Sequence, residues 1–346
     1  MKIYVNARFL TQPLSGVQRY AIECSQQIKK LCPEITFLCP ENILHHKIAA
    51  KLKPCIIGKK TGHLWEQTEL PLFLAKNKNP VLLNLANTAP LLYGNNYITI
   101  HDLAFYRHPE WNSKMFSMWY NILIPRLAYK AKHIFTVSRT MKDEIINTYH
   151  IPAAKISVTY NGIAEHMLRS KKERTNDKEN IILSVGSFNI RKNHQNLIKA
   201  YLNSNIKDKY RLVIVGDRNK VFSETGLDEQ KLNNSNIEIY EGFPDEELIA
   251  MYQTAKVVVS LSLYEGFGIP LLEGLFYGCK VICSDIPVYR ELYGDSATFC
   301  DPVDINSITA VLDNIDATPA MGDIDLLLKQ YNYADAAKVI VEKIGC

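Results

Sequence analysis

Short runs of β-branched and aliphatic residues alternate along this chain with longer stretches whose apolar positions recur at helical spacing. The apolar runs at 2–5, 36–38, 81–85, 97–100 and 133–137 predict strands, as do those at 181–185, 211–215, 236–240, 256–261 and 280–283. Most are continuously apolar rather than alternating, the pattern of parallel strands covered on both faces. Between them, 138–149, 194–203 and 245–254 carry the periodicity of amphipathic helices. This alternation predicts α/β architecture with two doubly wound parallel sheets, one in each half. The stretch 166–180, HMLRSKKERTNDKEN, has almost no apolar content and reads as a linker. The expected organisation is a domain over 1–168, a charged connection over 169–180, a second domain over 181–325 and a closing helix over 326–346. Neither a solenoid-length repeat nor a low-complexity tract interrupts it.

Composition supports the division. The chain has 346 residues, more than one hydrophobic core usually spans (about 250–300). With 47% hydrophobic and 22% charged residues it is globular, which excludes wholesale disorder, collagen-like and coiled-coil designs. The sequence lacks the ~18-residue apolar run of a spanning helix and opens without a signal-peptide core, so a cytoplasmic protein is expected. The eight cysteines form no CxxC pair, and Cys279 with Cys283 has no further ligand nearby to complete a metal site. Buried reduced thiols are the expectation. Net charge is +4, but unevenly placed: residues 1–170 hold 21 Lys and Arg against 10 Asp and Glu, and residues 171–346 hold 19 against 26. The basic half needs a partner.

Four segments can carry chemistry. In VVVSLSLYEGFGIPLLEG a buried strand runs into a loop with two glycines, and Pro270 sits where a helix should begin, a position that suits a residue without an N–H. Gly266 and Gly268 allow close approach of a ligand to the backbone, and a helix N-terminus attracts phosphate. Glu265 in the loop and Glu273 one turn into the helix would bracket a phosphate with hydroxyls on both sides, as in a sugar nucleotide. An ordinary loop with a carboxylate favoured by the helix dipole fits equally well. In IILSVGSFNIRKN a second strand ends at Gly186 and delivers Arg191 and Lys192, cations suited to a diphosphate if they share an edge with Glu265. In TIHDL, His101 and Asp102 stand at a strand end, as a pair for a reacting sugar and an acceptor hydroxyl or as a structural pair. In LSGVQRY, Gly16 opens a helix just after the first strand, a phosphate-facing turn or a plain connection. GxGxxG, the P-loop, GxSxG and HExxH are absent. The Asp323-Ile324-Asp325 triplet lies in a polar connector far from any strand end, so metal dependence is not supported.

Taken in order, SGVQRY, HLWEQTELP, TIHDLAFYRHP, HIFTVSRTMKDEII, SVTYNGI, VGSFNIRKN, GFPDEELIAMYQTA and SLYEGFGIPLLEG resemble the retaining glycosyltransferases of family 4 nearly end to end. The variants most resemble the bacterial mannosyl- and rhamnosyltransferase-like branch that builds surface polysaccharides. The resemblance implies the GT-B fold, two Rossmann-like domains facing across a cleft. It implies that Arg191 and Lys192 bind the donor diphosphate, Glu273 the ribose and Glu265 the donor sugar's hydroxyls. Gly266, Phe267, Gly268 and Ile269 would meet sugar or phosphate, with Gly186 at the head of the cationic loop. Phe243 and Leu248 would flank the base, His101 would approach the sugar, Gly16 the phosphates, and Asp102 the acceptor. Many members carry Arg after the glycine where this chain has Ser187, and Arg191 is the candidate replacement. The implied reaction is metal-free and retaining, needs no cofactor and uses a nucleotide-diphosphate sugar, GDP-mannose ahead of a UDP-hexose. The acceptor would be a glycan or a lipid-linked one, with reversible contact to an anionic membrane as the partner of the basic half. A sugar-nucleotide 2-epimerase shares the fold and is the enzymatic alternative. Nucleic-acid binding would need basic runs interleaved with aromatics, which the chain lacks.

Overall fold

The structure, a computed structural model, describes residues 2–170, 178–216, 236–317 and 324–346. The chain divides into two compact units, Met1–Ala164 with Tyr331–Cys346, and Glu165–Gln330. In the first, parallel strands β1 (Ile3–Asn6), β2 (Thr36–Cys39), β3 (Cys55–Ile56), β4 (Val81–Asn84), β5 (Asn96–Thr99), β6 (His133–Thr136) and β7 (Ile156–Val158) stand in the order β3-β2-β1-β4-β5-β6-β7. The chain winds outward from β1 to β3, then returns to β4 beside β1 and winds the other way. Asn6 pairs in register with Asn84, which sets the carboxyl ends of β1 and β4 level. In the second unit β8 (Glu179–Val185), β9 (Arg211–Val215), β10 (Ile237–Tyr240), β11 (Ala255–Ser260), β12 (Lys280–Ser284) and β13 (Thr298–Cys300) stand in the order β10-β9-β8-β11-β12-β13. Its winding reverses between β8 and β11.

The apolar runs form these strands because both faces are covered. Leu82 and Leu83 are consecutive in β4 and both buried, as are Leu212 and Val213 in β9. Leu82 belongs to a core with Tyr4, Leu38, Trp65 and Leu74, while Leu212 packs with Tyr201, Tyr210, Val257 and Leu312. The helix Gly16–Leu31 packs on the closing helix Tyr333–Ile344, both in the first unit.

Several expectations need correction. β3, β7 and β13 escaped the hydrophobic pattern because they are edge strands of two or three residues. The closing helix expected over 326–346 is two helices, Ile324–Gln330 and Tyr333–Ile344. The side chain of Asn332 caps the second by accepting from the Asp335 N–H, which restarts the helix there. The expected connection over 169–180 is shorter at its end, because Glu179 and Asn180 already belong to β8. Residues 171–177 lie outside the described residues, as does Asp323 of the acidic triplet. The helix Lys114–Lys130 continues through Pro125, although a proline inside a helix ordinarily ends or kinks it. Leu123, Ile124, Leu127 and Ala128 are buried on either side of the proline, and that packing offsets the missing hydrogen bond. Finally, Cys32 and Cys346 are joined as a disulfide with Cα atoms 6.2 Å apart, where reduced thiols were expected. Packing of the two helices brings these distant positions together.

Candidate active site

The reversal between β8 and β11 brings two loops to one edge of the second sheet. β8 runs into Gly186, and a 3-10 turn, Ile190–Lys192, follows. That turn forms because the Asn189 side chain accepts from the Lys192 N–H at 3.1 Å. β11 ends at Ser260 and leads into the loop before the helix Ile269–Phe276. The Leu263 N–H donates to the Arg191 carbonyl at 2.8 Å, stitching the loops together. The result is an ion pair: Lys192 Nζ lies 2.5 Å from Glu265 Oε1. The lysine stem crosses Gly186, where an added Cβ would stand 3.2 Å from Lys192 Cε.

Glu265 is buried, Lys192 is half-buried, and the pair is electrostatically tuned. Burial alone would raise the Glu265 carboxyl, but Lys192, Arg191 and a hydrogen bond from Ser262 bring it down to about 2. The carboxylate is therefore ionised at neutral pH. His194, at the start of the next helix, is held neutral, pushed down to about 3 by burial and by Lys192. The ring is buried against Phe188.

The glycine turn has a steric reason. Gly268 caps the helix at φ 88°, and a Cβ there would fall 2.4 Å from the Tyr289 ring. Its carbonyl accepts from the Tyr293 hydroxyl at 2.8 Å, so two tyrosines brace the turn. Gly266 and Phe267 are buried in this loop, and Ile269, half-buried, begins the helix with Pro270 next. Gly278 follows the helix at φ 84°, and the Cys279 N–H returns to the Gly274 carbonyl at 2.9 Å, as expected for a glycine stop.

Glu273 projects elsewhere than Glu265. It is buried, and its Oε2 accepts from the Tyr252 hydroxyl at 2.8 Å. Tyr252 lies in the helix Asp245–Thr254, and Leu248, one turn earlier, shares its buried face. Phe243 stacks on Tyr240 with ring centroids 4.8 Å apart, at the head of that helix. The second unit thus unites Arg191, Lys192, Gly186, Glu265 and the glycine turn, with Glu273 and Leu248 at the neighbouring helix contact. Tyr252, Ser262 and Tyr289 are partners the sequence reading missed; ordinary tyrosines on helices give no signal of such contacts.

The remaining candidates belong to the first unit. His101 is buried and held neutral by desolvation, so its Nε2–H donates to the Leu85 carbonyl at 2.9 Å and Nδ1 is left as an acceptor. Asp102 Oδ1 accepts from the Ala104 N–H at 3.1 Å, just ahead of the short helix Ala104–Arg107. Gly16 is exposed at the first position of the helix Gly16–Leu31.

Known proteins agree with these two halves. Residues 14–166 match the family described as Glycosyltransferase Family 4, and residues 168–319 match Glycosyl transferases group 1. The chain is 31% identical over 258 residues to the O-antigen chain mannosyltransferase RfbU of Salmonella typhimurium, covering 73% of this chain and 70% of that one. It is 30% identical over 347 residues to the O-antigen chain mannosyltransferase B of Escherichia coli, covering 90% and 89%. Among solved structures, Anabaena HepE in complex with UDP and glucose superposes with a TM-score of 0.73 at 14% identity, covering 100% and 99%. WaaG, a glycosyltransferase of lipopolysaccharide biosynthesis, superposes with a TM-score of 0.70 at 13% identity, covering 99% and 95%. At such identities the likeness speaks for the fold, which is GT-B.

Proposed function

The chain belongs to the family 4 glycosyltransferases, and on that premise we propose that it moves mannose from GDP-mannose to a growing bacterial surface polysaccharide, with retention and without a metal. The observation that carries the reading is the Lys192–Glu265 pair at the β8–β11 reversal, with Arg191 as a second cation beside it. One carboxylate facing two cations leaves positive charge for a diphosphate. Glu265, fixed and ionised, is suited to accept from donor-sugar hydroxyls.

In the proposed reaction the bond between the anomeric carbon and the phosphate oxygen breaks, and Lys192 and Arg191 stabilise the charge that develops on the leaving diphosphate. An acceptor hydroxyl attacks from the same face, and its proton passes to the departing phosphate oxygen. Glu273 would hold the ribose, with Phe243 and Leu248 beside the base. The names of the two O-antigen mannosyltransferases support mannose as the sugar.

The test is incubation with GDP-mannose and a panel of UDP-hexoses, reading nucleoside diphosphate release and the anomeric configuration of the product by NMR, with and without EDTA. Release of GDP, an axial product linkage and indifference to EDTA are expected. Conversion of the donor alone, without transfer, would instead identify an epimerase, and activity restored only by added Mg²⁺ or Mn²⁺ would overturn the metal-free reading.

The acceptor is proposed to be lipid-linked, at an anionic membrane surface. Among the described residues no helix is long and apolar enough to cross a membrane. The helix Lys114–Lys130, however, exposes Met115, Met118, Trp119 and Ile122 together with Lys114, Arg126 and Lys130. Apolar side chains beside cations, each worth about 1 kcal/mol near anionic lipid, suit reversible attachment. Co-sedimentation with anionic but not neutral vesicles at low salt is expected; equal behaviour with both would point to a soluble acceptor.

A further inference from the structure

Glu265 has a neutral partner as well as its cations. Lys192 Nζ meets Oε1, and the Ser262 hydroxyl gives the carboxylate a further hydrogen bond. Ser262 follows β11 and is fully buried. Behind it stand two more hydroxyls. Ser260 Oγ lies 3.3 Å from Ser262 Oγ and 2.9 Å from the Tyr289 phenol oxygen, and the phenol is hydrogen-bonded to Ser262 as well. Tyr289 comes from the helix Pro287–Tyr293, which follows β12, and it too is fully buried.

The protons give this cluster a direction. An ionised carboxylate can only accept, so the one proton of Ser262 goes to Glu265 and its oxygen has only lone pairs left to offer. The hydrogen bond between Tyr289 and Ser262 then has a single sense, with the phenol donating. Its own proton committed, the phenol oxygen can accept from Ser260. The chain therefore runs from Ser260 through Tyr289 and Ser262 to Glu265, and hydroxyls aligned in one sense strengthen the last bond by polarisation. The Tyr289 ring is also the one that lies against Gly268, where a Cβ would fall 2.4 Å from it. One side chain thus supports both the glycine turn and the hydroxyl that holds Glu265. That second hold matters because the terminal torsion of a glutamate is broad. Lys192 alone fixes where Oε1 sits; a contact from another direction is needed to fix the plane of the carboxylate.

We propose that Tyr289 and Ser262 are positioning residues, a buried hydroxyl chain that fixes the plane of the Glu265 carboxylate for the hydroxyls of the donor sugar. This rests on the glycosyltransferase reading, in which Glu265 meets that sugar. The chain acts through Glu265 alone, and a preorganised group contributes most where the transition state needs it. Its loss therefore slows turnover and leaves donor binding nearly as it was.

The test compares Ser262→Ala, Tyr289→Phe and the double variant with the unaltered full chain by two readouts. The first is GDP release from GDP-mannose. Ser262→Ala should lower kcat about tenfold and Tyr289→Phe about threefold, each with the donor KM within about twofold. The double variant should be no slower than Ser262→Ala, because the phenol acts only through the serine; independent effects would multiply to about thirtyfold. The second readout is the NMR resonance of the Glu265 carboxyl carbon in protein carrying isotope-labelled glutamate, identified by its loss in Glu265→Gln. Tyr289→Phe should shift that resonance in the unaltered background and leave it unmoved in the Ser262→Ala background. Because Tyr289→Phe keeps the ring that packs on Gly268, it carries the test even where Ser262→Ala does not fold. Multiplying losses, a raised donor KM without a fall in kcat, or a resonance indifferent to Tyr289→Phe would overturn the proposal. Absence of turnover by the unaltered protein would count against the glycosyltransferase reading instead, and the carboxyl resonance would still decide whether the chain holds Glu265.

Discussion

The two sheets reverse their winding at corresponding places and both put a cation against a buried glutamate there, but the pairs are built differently. At β8 and β11 both partners, Lys192 and Glu265, lie on loops that directly follow the two strands, and Arg191 adds a cation. At β1 and β4 the cation, Arg8, directly follows a strand, while Glu66 comes from a helical turn and is enclosed by Asn6, Thr88 and His63. The first sets two cations against one carboxylate; the second sets one guanidinium against one carboxylate, with a histidine beside it. Similar topology thus carries two differently built ion pairs, and the difference lies in a few side chains.

The sharpest way to break that contrast is Lys192→Ala. It removes a charge-assisted phosphate contact worth about 1.5–3 kcal/mol, and it strands a buried carboxylate, a loss of about 3–5 kcal/mol in stability. Adding Glu265→Gln should restore the melting temperature but not the affinity for nucleoside diphosphates. Recovery of both, read by calorimetry, would show that Lys192 serves Glu265 and not a ligand.

A smaller effect separates the two carboxylates of the second unit. Glu265→Gln should lower kcat on the order of a hundredfold with little change in the donor KM, as expected for a contact that tightens in the transition state. Glu273→Ala should raise the donor KM about tenfold and spare kcat, as for uniform binding. Identical kinetic signatures would merge their roles.

The smallest effect is on stability at low pH. Glu66 and Glu265 each sit near 2 in the folded chain against an ordinary 4.5. Both therefore stabilise the fold above about pH 4.5, and the contribution is lost as pH falls towards 2. The melting temperature should drop across that window. In the Lys192→Ala, Glu265→Gln double variant the drop should shrink without vanishing, because Glu66 remains. A drop unchanged in the double variant would mean that Glu265 is not held ionised by its partners.

The contrast also explains what the sequence could reveal. Arg191 and Lys192 follow a long apolar strand and a glycine, and Glu265 follows another such strand just before a glycine, so hydrophobic patterning located them and the sheet rule brought them to one edge. Arg8 and Glu66 lie 58 residues apart, and Glu66 stands in a π-turn where helical periodicity misplaces side chains. In the sequence it was visible only as the middle of WEQ, a piece of the resemblance without a physical role. Glu273 was legible as a helix carboxylate, but its partner Tyr252 belongs to another helix. The Cys32–Cys346 link spans 314 residues and depends on helix packing that no local pattern encodes. What was legible was local; what was missed depended on contacts between elements.

The central claim is that the β8–β11 edge binds a diphosphate through its surplus positive charge. Calorimetric titration of GDP, UDP, guanosine and uridine into the unaltered protein, at low and high salt, tests it most directly. One of the diphosphates should bind at least tenfold more tightly than its nucleoside, and that advantage should narrow as salt rises. Equal affinity for a nucleoside and its diphosphate, at either salt concentration, would contradict the account.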